Sequence, residues 1–120
     1  MRELKFRARD LDKNKYHYDI CIKPDGKIIA LEIYDGEMLP IRTRCIVEQY
    51  TGLKDKNGKE IYEGDIAKIT GVKRHFIFVW DDDELGYLLE DENKRRYVVW
   101  DNEYQIIGNI HENKELLEEE

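Results

Sequence analysis

Residues able to do chemistry are few in this chain and far apart. The three histidines, His17, His75 and His111, have no second histidine four positions away, so none forms the pair that a helix-borne zinc site needs. His111-Glu112-Asn113 starts like a zinc-protease motif but lacks its second histidine. Cys21 and Cys45 lie in separate segments, neither near another cysteine at a metal-ligand spacing. The chain contains no serine, which closes the serine-nucleophile route. Cys45 has no local support as a nucleophile and reads as a small buried hydrophobe. The acidic run Asp81-Asp82-Asp83-Glu84 lacks the alternating oxygen ligands and the glycine of an EF-hand loop, and reads as a solvated turn. Gly52, Gly58 and Gly64 are six apart, but no Gly-Lys-Ser/Thr follows, so no phosphate loop is present. No catalytic residue, metal ligand or cofactor site is assigned, and the expectation is a protein without enzymatic activity.

The best candidate contact surface is Lys54, Lys56 and Lys59 with Tyr50 and Tyr62. Cations interleaved with aromatic rings suit single-stranded nucleic acid, whose bases stack on rings. The competing reading is that the lysines solvate a long hairpin while the tyrosines pack beneath it. Asp55, Glu60 and Glu63 dilute the local positive charge and favour that second reading. Lys5, Arg7 and Arg9 on the first strand would extend a basic face if nucleic acid were the partner.

Charge speaks against general nucleic-acid binding. The net charge is −7, unevenly placed: residues 1–60 carry 13 Lys and Arg against 11 Asp and Glu, and residues 61–120 carry 7 against 16. The second half repels a phosphate backbone. With 120 residues, 41% hydrophobic and 39% charged, the chain suits one globular domain, or a barrel with a smaller appendage. No apolar run approaches the ~20 residues that span a bilayer. The charged start Met1-Arg2-Glu3-Leu4-Lys5 does not fit a signal peptide, and only two cysteines are present. A cytoplasmic protein is expected.

The elements that must position these residues are short strands. Residues 3–9 alternate, with Leu4, Phe6 and Ala8 on one side and Glu3, Lys5, Arg7 and Arg9 on the other, which predicts a strand whose apolar side is buried. Tyr16 to Ile22 reads as one strand, followed by a turn at Pro24-Asp25-Gly26. Residues 27–34 are rich in β-branched side chains and favour a strand, with a helix left open. Asp35-Gly36 closes that run, and Met38-Leu39-Pro40 reads as a connector. Strands are expected at residues 44–50, 66–70, 72–80, 85–90, 95–100 and 104–110, separated by turns at Glu63-Gly64-Asp65, Asp81 to Glu84, Asp91-Glu92-Asn93 and Asp101-Asn102. Asn57-Gly58 predicts a type I′ hairpin turn. His75, inside an apolar strand, reads as a surface-facing or hydrogen-bonded residue rather than a catalytic one. Residues 112–120 form an acidic tail that is short-helical or frayed.

The uninterrupted run Gln49-Tyr50-Thr51-Gly52-Leu53-Lys54-Asp55-Lys56-Asn57-Gly58-Lys59-Glu60-Ile61-Tyr62-Glu63-Gly64-Asp65-Ile66 resembles the hallmark of the YopX family of phage and prophage proteins. Arg2 to Ala8 resembles the family's opening strand, and Ile106 to Asn113 its closing one. The resemblance implies a mainly β fold, with an SH3-like small β-barrel in the second half and an N-terminal β-rich or α+β subdomain. The expected boundaries are 1–44 for the N-terminal subdomain, 45–111 for the barrel and 112–120 for the acidic tail. It implies no biochemical activity and carries no catalytic or ligand residue. Gly64-Asp65-Ile66 suits entry into a first barrel strand, with the Asp65 carboxylate accepting nearby amides and a large residue such as Phe76 or Trp80 filling space beside Ala67. Two functions follow as expectations. The first is a protein-interaction or self-associating module, a homo-oligomer or the partner of another protein, for which the eight tyrosines and open strand edges speak. The second is a nucleic-acid-binding accessory protein using the Lys54–Lys59 hairpin.

Overall fold

The structure is a computed structural model that describes residues 4–99 and 103–117. The expected Asp101-Asn102 turn, Trp100, residues 1–3 of the opening segment and residues 118–120 of the tail lie outside the described residues. The fold is mainly β. Among the described residues the single helical element is a 3₁₀ turn at Lys114–Leu117. The chain divides into two compact units, Met1–Tyr50 and Thr51–Glu120.

The first unit contains β1 (Phe6–Asp10), β2 (Lys15–His17), β3 (Ile20–Ile22), β4 (Ile28–Tyr34), β5 (Glu37–Pro40) and the start of β6 (Cys45–Lys54). β1 pairs antiparallel with β2 on one side and β6 on the other. A separate sheet runs β3-β4-β5. The expected single strand at Tyr16 to Ile22 is two strands, because β2 hydrogen-bonds to β1 and β3 to β4. Within residues 27–34, Ile28–Tyr34 is strand. The expected connector at Met38 to Pro40 is strand β5. Its cause is local: Asp35 and Gly36 both hold positive φ, 52° and 79°, the two-residue type I′ geometry that returns the chain directly on itself.

Burial on β1 goes beyond the expectation drawn from alternation: Ala8 is fully buried and Phe6 half-buried, but the side of Arg7 and Arg9 is buried as well. Arg7 and Arg9 are buried, whereas Leu4 is 67% exposed. The guanidiniums go inside because partners await them. Arg7 Nε donates to Glu48 Oε1 at 2.8 Å, Arg9 bonds the Asn14 side chain, and both guanidiniums lie over the Tyr16 ring.

The second unit contains the end of β6, then β7 (Glu60–Tyr62), β8 (Asp65–Ile69), β9 (His75–Asp81), β10 (Gly86–Glu90), β11 (Arg96–Val98) and β12 (Tyr104–Asn109). Its main sheet is antiparallel, in the order β11-β10-β9-β8-β12, and it curls into a half-barrel. Ile61, Ala67, Ile69, Phe76, Phe78, Leu89 and Tyr104 form its core. Phe76 stands opposite Ala67 in the β8–β9 register and fills the space that the alanine leaves. Trp80, the alternative filler, is 38% exposed. Phe78 meets the Tyr104 ring edge-on at 5.4 Å, an arrangement that favours aromatic pairs.

The turn into β8 behaves as its residues require. Gly64 holds φ at 87°, and its amide donates to the Phe78 carbonyl at 2.9 Å. The Asp65 carboxylate accepts the Tyr62 amide at 2.8 Å. The Asn57-Gly58 turn differs from the type I′ expectation, since of the two only Gly58 has positive φ. The Asp55 amide donates to the Lys59 carbonyl and the Gly58 amide to the Asp55 carbonyl, at 2.8 and 3.0 Å. That is a three-residue loop ending in a left-handed bulge position. Lys23–Lys27 and Asp91–Arg95 repeat the same bonds, with Gly26 and Lys94 at the positive-φ position.

Candidate interaction surfaces

Lys54, Lys56 and Lys59 are exposed on and beside the turn that joins β6 to β7. Tyr50 and Tyr62 are buried, at 4% and 5% exposure, so the two rings offer no platform for stacked bases. Tyr62 ends β7 in the second unit. Tyr50 sits in the first, with the Lys5 ammonium 5.7 Å from its ring centre. The lysines solvate the turn, and the tyrosines are packing residues.

Asp55 organises this turn from below. Its carboxylate accepts the Asn57 and Lys59 amides, both at 2.9 Å, and the Ile106 amide at 3.1 Å. Burial alone would raise its pKa, but these donated hydrogen bonds outweigh burial and hold the carboxyl below the ordinary range. Asp91 repeats the arrangement, with Asn93 and Arg95 as amide donors and the Tyr97 hydroxyl at 2.8 Å. The shared pattern Asp-x-Asn-x-Lys/Arg, at 55–59 and 91–95, went unread in the sequence, and its signal is the repeated spacing itself.

The supplementary basic face on β1 does not form. Arg7 and Arg9 are interior residues with protein partners, and Lys5, just before the strand, is half-buried. The opposite side of β1 holds a second buried polar group. Asp10 is fully buried, 3.0 Å from His17 Nε2, and its carboxylate also accepts the amides of Asp12 and Lys13. Burial would raise the Asp10 pKa, yet the Lys13 amide and the His17 side chain together bring it well below its usual value. Cys45 stands opposite Asp10 in the β1–β6 register. Its thiol is pushed up by burial and by the Asp10 charge, the reverse of an activated nucleophile.

The remaining polar candidates have local partners. Asp81 accepts the Asp83 and Glu84 amides and closes its own turn. His75 Nδ1 lies 3.0 Å from the Leu116 carbonyl. Among the described residues no cluster of three or more His, Cys, Asp and Glu could hold a metal ion. No helix among them is long and apolar enough to cross a membrane.

The closing segment is a built turn as well. The Asn109 side-chain oxygen accepts the His111 and Glu112 amides, both at 3.0 Å, and the Asn109 backbone N–H donates to Asn113 Oδ1 at 3.2 Å. A β-carbon on Gly108 would lie 2.3 Å from that same oxygen, so the position accepts only glycine without displacing Asn113.

The β3-β4-β5 sheet presents an exposed apolar face. Residues opposite each other in an antiparallel ladder share a face. The register puts Cys21 with Ile29, Leu31 with Pro40, and Ile33 with Met38, and the alternation along β4 aligns all six on one side. Ile33 is 69% exposed and Met38 50%, while Cys21 and Pro40 are also exposed. The signal in the sequence was the Ile29, Leu31, Ile33 alternation. What hid it was that β5 read as a connector, which removed half of the face.

The chain matches the family model described as YopX protein over residues 5–118. Among solved structures it is similar to one described as the crystal structure of protein EF1440 from Enterococcus faecalis. The two are 27% identical with a TM-score of 0.64, over 98% of this chain and 100% of that one. No curated protein matches it. With nearly its whole length matched by the family model, this chain belongs to the YopX family.

Proposed function

We propose that this protein is a non-enzymatic accessory protein of phages and prophages, acting in the host cytoplasm as a protein-interaction or self-associating module. The observation that carries the reading is the exposed apolar face of β3-β4-β5. Large apolar patches on a protein surface mark contact sites, and an unpaired strand edge beside one adds backbone groups that a partner can satisfy. The buried Asp10–His17 pair and the raised Cys45 thiol suit structural roles better than chemistry. In this reading the curled sheet is the wall of a small SH3-like barrel, entered at Gly64-Asp65-Ile66.

Sizing with light scattering, together with affinity capture, tests the proposal. An assembly larger than one chain, or a stoichiometric protein partner, is expected. A strict monomer that captures nothing would sink it. A nucleic-acid role would rest on Lys54, Lys56 and Lys59 without help from Arg7 and Arg9. A mobility shift with single-stranded DNA or RNA is therefore expected to show no binding even at low salt.

A further inference from the structure

We infer that Asn57 is a site of spontaneous covalent modification, at which the side-chain amide is lost through attack by the Gly58 backbone nitrogen. Of the six asparagines, Asn14, Asn57, Asn93, Asn102, Asn109 and Asn113, only Asn57 is followed by glycine. The step needs no co-reactant besides water. The Gly58 nitrogen bonds to Cγ of Asn57 and gives up its proton, the Cγ–Nδ2 bond breaks, ammonia leaves, and a cyclic imide remains. Water then opens the imide at either carbonyl. One opening leaves aspartate at position 57. The other leaves isoaspartate, in which the main chain runs through the side-chain carbon and is longer by that atom.

The fold supplies an internal comparison, because the turns at 55–59 and 91–95 share their hydrogen bonds. Asp55 Oδ1 accepts the Asn57 amide and Asp91 Oδ1 the Asn93 amide, both at 2.9 Å. The Asp55 carbonyl accepts the Gly58 amide and the Asp91 carbonyl the Lys94 amide, both at 3.0 Å. Asn57 and Asn93 are both exposed, and Gly58 and Lys94 both hold positive φ, 83° and 66°. The turns differ at the residue that supplies the nucleophile. Gly58 has no β-carbon, and nothing stands within 4 Å of where one would be, so Asn57 Cγ can approach its nitrogen unhindered. At Lys94 the β-carbon and the chain beyond it crowd the corresponding nitrogen.

The shared bonds also set the pace. The Gly58 N–H must leave the Asp55 carbonyl before its nitrogen can attack. Loss of the amide in the folded chain should therefore be about fivefold to tenfold slower than in a free peptide, the weight of one backbone hydrogen bond. The consequence reaches past the turn. A lengthened chain at position 57 displaces the amides that Asp55 holds, and the same carboxylate accepts the Ile106 amide. Both products also place a new negative charge between Lys56 and Lys59.

The test keeps the full chain folded at neutral pH and follows it by peptide-mapping mass spectrometry with an enzymatic assay for isoaspartate. Acid, including isoaspartate, is expected to accumulate at position 57 while Asn93 keeps its amide. Lys94→Gly installs the missing feature in the second turn and should open Asn93 to loss at a rate close to that of Asn57. Gly58→Lys should protect Asn57. If Gly58→Lys fails to fold, Lys94→Gly decides, since it takes a side chain out of left-handed backbone. Asn57 still intact in the folded chain when a free peptide of residues 53–62 is fully converted overturns the inference. So does wild-type Asn93 reacting as fast as Asn57, or Asn93 staying intact in Lys94→Gly.

Discussion

Asp55 accepts the amide of Ile106 at 3.1 Å, across 51 positions of sequence, while it also holds its own turn through Asn57 and Lys59. One buried carboxylate thus ties the family's hallmark segment to the last strand. Asp55→Ala leaves three amides without that acceptor and should destabilise the protein by about 2–4 kcal/mol. Asp55→Asn can keep the two turn bonds but presents its NH₂ to the Ile106 amide, so its loss should be smaller yet clear. Urea unfolding of both variants measures this.

Asp10, Asp55 and Asp91 are buried, and each carboxyl is held below its usual value. For all three, burial pushes the pKa up and donated hydrogen bonds overcome it. A folded-state pKa below the unfolded value of about 3.9 stabilises the fold fully above that value, and the contribution is lost as pH falls through the folded-state pKa. Stability should therefore be flat near neutrality and decline from about pH 4 downward. Asp10→Asn should lower stability at neutral pH and make its further loss on acidification shallower. An unchanged acid slope would contradict the assignment.

Lys94 occupies, with φ of 66°, the position that Gly26 and Gly58 fill in the other two loops of the same kind. A side chain in left-handed backbone costs about 1–2 kcal/mol, and glycine gives back roughly 0.4–1 kcal/mol through its freer unfolded chain. Lys94→Gly should therefore stabilise by about 0.5 kcal/mol, and Gly58→Lys should destabilise by about the same or more. Paired thermal melts would show opposite shifts of the midpoint.

Gly108→Ala sets a methyl against Asn113, whose oxygen would be 2.3 Å away. Asn113 must turn aside, and its bond to the Asn109 amide is lost. The expected destabilisation is about 1–3 kcal/mol. Restoring part of it with Asn113→Gly in the same chain would show that the clash, and not the backbone angle, is responsible.

Most strands were legible because β-branched runs and Gly, Asn and Asp turns sit where the chain reverses. The hydropathy alternation of β1 nevertheless pointed to one buried face, whereas Ala8 on that face and Arg7 and Arg9 on the other are all buried. It could not register that Glu48, Asn14 and Tyr16 wait for Arg7 and Arg9, since those partners come from other segments. Tyr50 and Tyr62 were readable as strand residues, but their depth depends on neighbours that a local pattern does not name. The Asp35-Gly36 turn carried its own type I′ signature and would have exposed β5. Without it, the apolar side of β4 had no visible second half, and its exposed face went unnoticed.

Hydrogen–deuterium exchange of the wild-type chain, at low and at high concentration and with any protein it captures, tests the central claim most directly, because it reads which backbone segments a partner covers. Amides of β4 and β5, residues 28–40, should gain protection as concentration rises or as the captured protein is added, while those of the Lys54–Lys59 turn should not change. Protection across residues 28–40 that stays the same in both settings, or that rises instead around Lys54–Lys59, would contradict it.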